Sequence, residues 1–207
     1  MLHLYLTTFP SYPQKIERKS LSEAFIQQIL QSETGEVHPI RIERTAQGKP
    51  YLPDYPELFF NYSDSGDTAV VATDSRPVGV DIEKIRPRSF QGILERFFLP
   101  DEIKQVEAST EEERLIRFFR LWTAKESLLK QIGCGLGGEM RSYEVCQNRA
   151  RCGENELSLQ TFVLSRNGQI TPYGNVPVSV GDTLLTLCSE SGEDPRFYLL
   201  PSMNDSI

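Results

Sequence analysis

Cysteine is scarce in this chain: four in 207 residues, at positions 134, 146, 152 and 188, with no CxxC pair. That usage supports neither a disulfide framework nor a zinc site. His3 and His38 are the only histidines, and two isolated imidazoles are a poor basis for a metal centre. No apolar run approaches the ~20 residues a membrane helix needs. The opening MLHLYLTTFPSYPQK has neither a basic first segment nor a long apolar one, so no signal peptide is read. Low-complexity segments, repeats of fixed period and Gly/Pro/Ser-rich linkers are missing too. A cytoplasmic protein with reduced thiols and no membrane partner is the expectation.

Against these absences stand 39% hydrophobic and 10% aromatic residues, enough for a core and too many for a disordered chain. The net charge of −7 argues against nucleic acid as a partner. Residues 84–130, with ten basic against eight acidic side chains, are the only net-basic part. A phosphate-bearing ligand belongs there.

Periodicity predicts a helix over 20–31 capped by Ser20 or Ser22, short helices over 89–98 and 100–107, and a long helix over 111–132 stopped by Gly133. HPIRIERT alternates as a strand, and QGKPYLPDYPEL is extended. Residues 68–73 and 78–84 read as strands of one hairpin across DSRP. Residues 157–165, 176–180 and 183–189 read as further strands, the last two a hairpin around Gly181-Asp182. This is an α+β pattern without regular βαβ alternation.

In VGVDIEK, strand alternation puts Val78, Val80 and Ile82 on one face and Gly79, Asp81 and Glu83 on the other. Two like charges with open space at a glycine beside them suit a divalent cation, since Mg²⁺ is held by a few carboxylates, waters and ligand phosphates. A solvated polar face is the plain alternative. The helix FFRLWTAKESLLKQIG carries two apolar stripes, so it is mostly buried. Within it, Glu126 and Lys130 sit at i,i+4. An intrahelical ion pair is one reading; a cation shared with Asp81 and Glu83 suits a buried Glu126 better.

Taken in order, QGKPYLPD, FFNYSDSGD, GVDIE, FFLPDE and LWTAKESLLK resemble the signature of the 4′-phosphopantetheinyl transferases of the surfactin-synthetase-activating (Sfp) type. The likeness runs from Gly48 to Leu136 and continues weakly to Ser189. It implies two similar α/β halves related by a pseudo-twofold, residues 1–79 and 80–207, with the site between them and a monomeric enzyme. It also implies Mg²⁺-dependent transfer of the 4′-phosphopantetheine arm of coenzyme A to a serine of an apo acyl or peptidyl carrier protein, releasing adenosine 3′,5′-bisphosphate. Carried over by motif, Asp81, Glu83 and Glu126 would hold the metal. Lys49, Ser63 and Lys130 would lie against coenzyme A, with Arg18 more loosely aligned. Glu126, Lys125 or Glu102 would take the serine proton.

Two departures stand out. Asp64 replaces the histidine of the family's F-N-x-S-H-S segment, setting a carboxylate where a phosphate is expected. At ~4 Å and an effective dielectric of ~20, that costs about 4 kcal/mol, unless Asp64 turns away, caps a turn, or is offset by Arg76 or another base. The segment before Gly48 is also shorter than in the best-known members. Hence there is a rival of another class, a non-catalytic paralogue that binds coenzyme A or a carrier. A metal-dependent phosphohydrolase is a third reading. Arg114, Arg117 and Arg120 recur along one helix side, as solvated charge or a carrier contact.

Overall fold

A computed structural model describes residues 1–9, 15–108, 110–134 and 140–203. In chain order the strands are β1 (His3–Thr8), β2 (Glu43–Arg44), β3 (Pro50–Tyr51), β4 (Phe59–Ser65), β5 (Thr68–Asp74), β6 (Val78–Lys84), β7 (Glu144–Cys146), β8 (Arg149–Cys152), β9 (Asn155–Leu164), β10 (Ile170–Pro172), β11 (Thr183–Ser189) and β12 (Arg196–Leu199). The helices are α1 (Lys15–Thr34), α2 (Gln91–Phe97), α3 (Pro100–Lys104) and α4 (Glu111–Ile132). This is the expected α+β mixture.

Two sheets lie face to face, each with a long helix on its outer side. The first runs β12-β1-β5-β4 and the second β6-β11-β9-β8-β7, with β10 on β9. Leu2, Leu4, Leu6, Val70 and Ala72 of the first meet Val78, Val80, Ile82, Leu185 and Leu187 of the second. Phe25 and Ile29 of α1 cover the first sheet; Phe118, Leu121 and Leu128 of α4 cover the second. The C-terminal β12 returns to pair in parallel with β1.

Helix α4 has the expected bounds. Thr110 caps it by accepting the Glu113 N–H, Glu111–Glu113 complement its N-terminus, and Gly133 ends it at φ +81°. Helix α1 runs longer than its stripe predicts, so Ser20 and Ser22 lie inside it rather than at its start. Of HPIRIERT only Glu43–Arg44 is strand, paired with Pro50–Tyr51.

Three other expectations are overturned. β5 and β6 form no hairpin: both edges of β5 are occupied, by β1 and β4, so β6 crosses to the second sheet and pairs with β11. Residues 176–180 are no strand, keeping only an isolated Val180–Asp182 bridge. Pro177 removes a donor there, Val176, Val178 and Val180 pack onto the α4 core instead, and β11 takes β9 as its partner. Gly79, finally, leaves no open space. A Cβ there would stand 2.0 Å from the Ser127 carbonyl and 2.4 Å from the Gln131 nitrogen, so it is the seat on which α4 rests.

Gly79→Ala should therefore cost about 3 kcal/mol or more of stability, because the obstruction is helix backbone that cannot rotate aside. Gly92→Ala, in α2 where nothing lies within 4 Å, should instead stabilise by up to about 1 kcal/mol. Thermal melts of the two variants check this.

Candidate active site

β6 is the edge strand of its sheet, and its free edge is paired by side chains rather than by a strand. The N–H groups of Val80, Ile82 and Lys84 donate to Asn61 Oδ1 (2.9 Å), Ser63 Oγ (3.4 Å) and Ser65 Oγ (3.1 Å) of β4. The two hydroxyls pass the bond on: Ser63 donates to Asp81 Oδ1 and Ser65 to Glu83 Oε2, each at 2.8 Å. Each serine thus takes the N–H of one residue and orients the carboxylate of the residue before it. Alternation along FFNYSDS makes this possible, placing Asn61, Ser63 and Ser65 together.

Lys130 of α4 completes the constellation. Its ammonium donates to Asp81 Oδ1 (2.7 Å), Ser63 Oγ (2.9 Å) and the Val80 carbonyl (3.1 Å). No ion pair among the described residues joins it to Glu126, so the intrahelical pair is not formed. Asp81 and Glu126 are buried, at 6% and 7% exposure. Burial, then the Asp81 charge, raises the Glu126 carboxyl to about 7, against an opposing pull from Lys130. Burial likewise raises Glu83, with Ser65 opposing.

Among the described residues no three carboxylate, histidine or cysteine side chains already stand as a metal-ligand cluster. The residues nonetheless fit a divalent cation, because Asp81 Oδ2 and Glu126 Oε1 are buried without a hydrogen-bond partner. Buried carboxylate oxygens left this way are costly unless a cation meets them.

Lys125 and Glu102 go elsewhere. The Lys125 ammonium, fully buried, donates to both Glu102 oxygens (2.6 and 2.8 Å) and to the Tyr143 carbonyl (2.6 Å). Glu102 also accepts the Leu99 and Val145 N–H groups at 2.8 Å. All three ammonium protons are used within this pair and on Tyr143, and the pair ties α4 to α3 and β7.

Asp64 turns to the other face of β4, towards α1. It accepts from Arg18 Nε at 2.6 Å, while Arg18 Nη1 holds the Gly66 carbonyl at 2.7 Å. Arg18, not Arg76, offsets it; Arg76 pairs with Glu193. Lys49 lies against the end of α4, its ammonium on the Gln131 carbonyl, and burial lowers its pKa. A cleft of about 690 Å³ opens between α1, the 39–50 segment and the end of α4, with Arg44, Lys49, Asn61 and Lys130 in its wall. Arg114, Arg117 and Arg120 bond to Glu111, the Glu107 carbonyl and the Gln147 carbonyl.

Sequence reasoning missed Asn61 and Ser65. The available signal was three small polar residues at i, i+2 and i+4, alternating with Phe60, Tyr62 and Asp64.

Lys130 joins the acid centre to the wall of the cleft, where Arg44 and Lys49 outnumber the single acid Glu23. Residues 77–180, half the chain, match the family described as the 4′-phosphopantetheinyl transferase superfamily, and the chain belongs to it. The matched stretch holds Asp81, Glu83, Glu126 and Lys130. Similar proteins include 4′-phosphopantetheinyl transferase Sfp of Bacillus subtilis (strain 168), 42% identical over 106 residues, 51% of this chain and 47% of that one. The transferase ffp of Bacillus subtilis is 38% identical over 136 residues, 65% and 60% of the two chains. HetI of Nostoc sp. is 34% identical over 131 residues, 60% and 55%. The chain spans about half the length of the curated relatives it matches.

Glu126 yields a pH test. Its ordinary value is 4.5 and its folded value about 7, so between them the folded chain binds the extra proton. Stability therefore falls as pH rises from 4.5 to 7, by an amount on the order of 3 kcal/mol. Without divalent ions, Glu126→Gln should gain on the parent as pH rises from 5 to 8, by several degrees in Tm. A difference in Tm that does not change between pH 5 and 8 contradicts the assignment.

Proposed function

We propose that this protein is a 4′-phosphopantetheinyl transferase, moving the phosphopantetheine arm of coenzyme A onto a serine of an apo acyl or peptidyl carrier protein. The observation that carries this reading is the pair of unpartnered buried oxygens on Asp81 and Glu126, beside Lys130 at the wall of the cleft.

In this reading Asp81, Glu83 and Glu126 hold Mg²⁺, which supplies charge neutralisation for the pyrophosphate and the leaving phosphate. Lys49 and Lys130 face the phosphates of coenzyme A from the cleft wall, and Ser63 fixes Asp81. Glu126, the buried carboxylate that α4 brings to this centre, takes the proton of the incoming serine. The serine oxygen forms a bond to the phosphorus carrying pantetheine. The bond from that phosphorus to the bridging oxygen breaks, and adenosine 3′,5′-bisphosphate leaves with the electron pair. Arg18 neutralises Asp64 on the far face of β4, which removes the main objection to turnover. The two sheet-and-helix units would be the family's two halves, in a monomer acting in the cytoplasm, but their boundary falls before β6 at Val78 rather than after Gly79, and β12 of the C-terminal stretch belongs to the first unit.

Incubation with coenzyme A, Mg²⁺ and an apo carrier should add one phosphopantetheine mass to the carrier, and Glu126→Gln should slow this at least a hundredfold. Binding of coenzyme A without mass gain would make the protein a non-catalytic binder. Release of phosphopantetheine with no carrier present would make it a hydrolase. In the same assay Arg18→Ala, which frees the Asp64 charge, should slow transfer more than Arg18→Ala/Asp64→Ala does.

A further inference from the structure

Lys130 does more in the free protein than wait for a ligand. Its three ammonium protons are all used, on Asp81 Oδ1, Ser63 Oγ and the Val80 carbonyl, and the ion pair with Asp81 is largely buried. Ser63 is equally saturated: it donates to Asp81 and accepts from the Ile82 N–H and from Lys130. Asp81 therefore has one oxygen committed to a tethered positive charge and the other, Oδ2, left without a partner. Any metal ion using Oδ2 shares a single carboxylate with an ammonium that is already locked in place.

We propose that Lys130 is a built-in counter-ion that suppresses binding of a divalent cation by itself and makes cation and phosphate ligand load together. The inference rests on Asp81, Glu83 and Glu126 being the cation's ligands. Before loading, the ammonium balances part of the carboxylate charge, so the site does not need a cation to stay folded. It also repels one, because two like charges on one buried carboxylate are poorly screened. A phosphate group in the cleft gives Lys130 an alternative anionic partner, and its own negative charge favours the metal. Each ligand thus strengthens the other by the same factor, as linkage requires. The protein would then not hold a bare divalent ion in a site still empty of substrate.

Mn²⁺ titration followed by electron paramagnetic resonance tests this, with the metal alone and with coenzyme A present, on the parent, Lys130→Gln and Lys130→Arg. The expected result is that Lys130→Gln binds Mn²⁺ alone about tenfold or more tighter than the parent. Coenzyme A should then improve Mn²⁺ affinity much less in Lys130→Gln than in the parent. Lys130→Arg, which keeps the charge, should stay close to the parent. Thermal melts give a second readout: Mn²⁺ should raise Tm further in Lys130→Gln, where the carboxylates have lost their internal partner. Equal or weaker Mn²⁺ binding by Lys130→Gln overturns the proposal, as does equal tightening in both variants, which would point to packing rather than charge. Absence of coenzyme A binding in the parent would instead count against the transferase reading, and the metal-alone comparison would still decide the role of Lys130.

Discussion

The free edge of β6 is the constraint on which the rest of this structure depends. Three backbone N–H groups on that edge have no neighbouring strand, and a buried donor left open costs about 1–3 kcal/mol. Asn61, Ser63 and Ser65 of β4 meet all three. The two sheets are thereby joined by side chains at the same line where the carboxylates stand. Because the serines also donate to Asp81 and Glu83, the bonds that dock one sheet on the other also aim the acids.

Charge is arranged around that line in three separate balances. Lys125 and Glu102 satisfy one another inside the second unit, where breaking such a pair costs about 3–5 kcal/mol. Arg18 holds Asp64 on the opposite face of β4. Of the three, the centre of Asp81, Glu83, Glu126 and Lys130 is left incomplete, with three acids to one base and unpartnered oxygens on two of the acids. Among the described residues, the buried carboxylate oxygens without a hydrogen-bond partner both lie here, where a ligand would meet them.

Much of this was legible in the sequence, and the limits have physical reasons. The bounds of α4 followed from its acidic start and its glycine stop, and the faces of β6 followed from strict alternation. Asp81, Glu83, Glu126 and Lys130 were singled out, and two of them, Asp81 and Lys130, lie in one hydrogen-bond network with Ser63. The partners of β6 could not be read, because which edge a strand pairs is decided by what is already occupied on the others. The role of Gly79 was inverted, since an absent side chain signals open space and close approach alike until the helix above it is seen. The pairing of Lys125 with Glu102 could not be read either, because both are charged residues in apolar settings 23 positions apart and only the fold brings them together.

Ser65 offers the most direct measurement, because it touches the centre only through Glu83 and the Lys84 N–H. The affinity for Mn²⁺ in the presence of coenzyme A should fall about tenfold in Ser65→Ala and recover in Ser65→Thr, with the melting transition still cooperative in both. An affinity unchanged in Ser65→Ala would contradict the account, since it would mean that the side-chain ladder docks the sheets without positioning the acids.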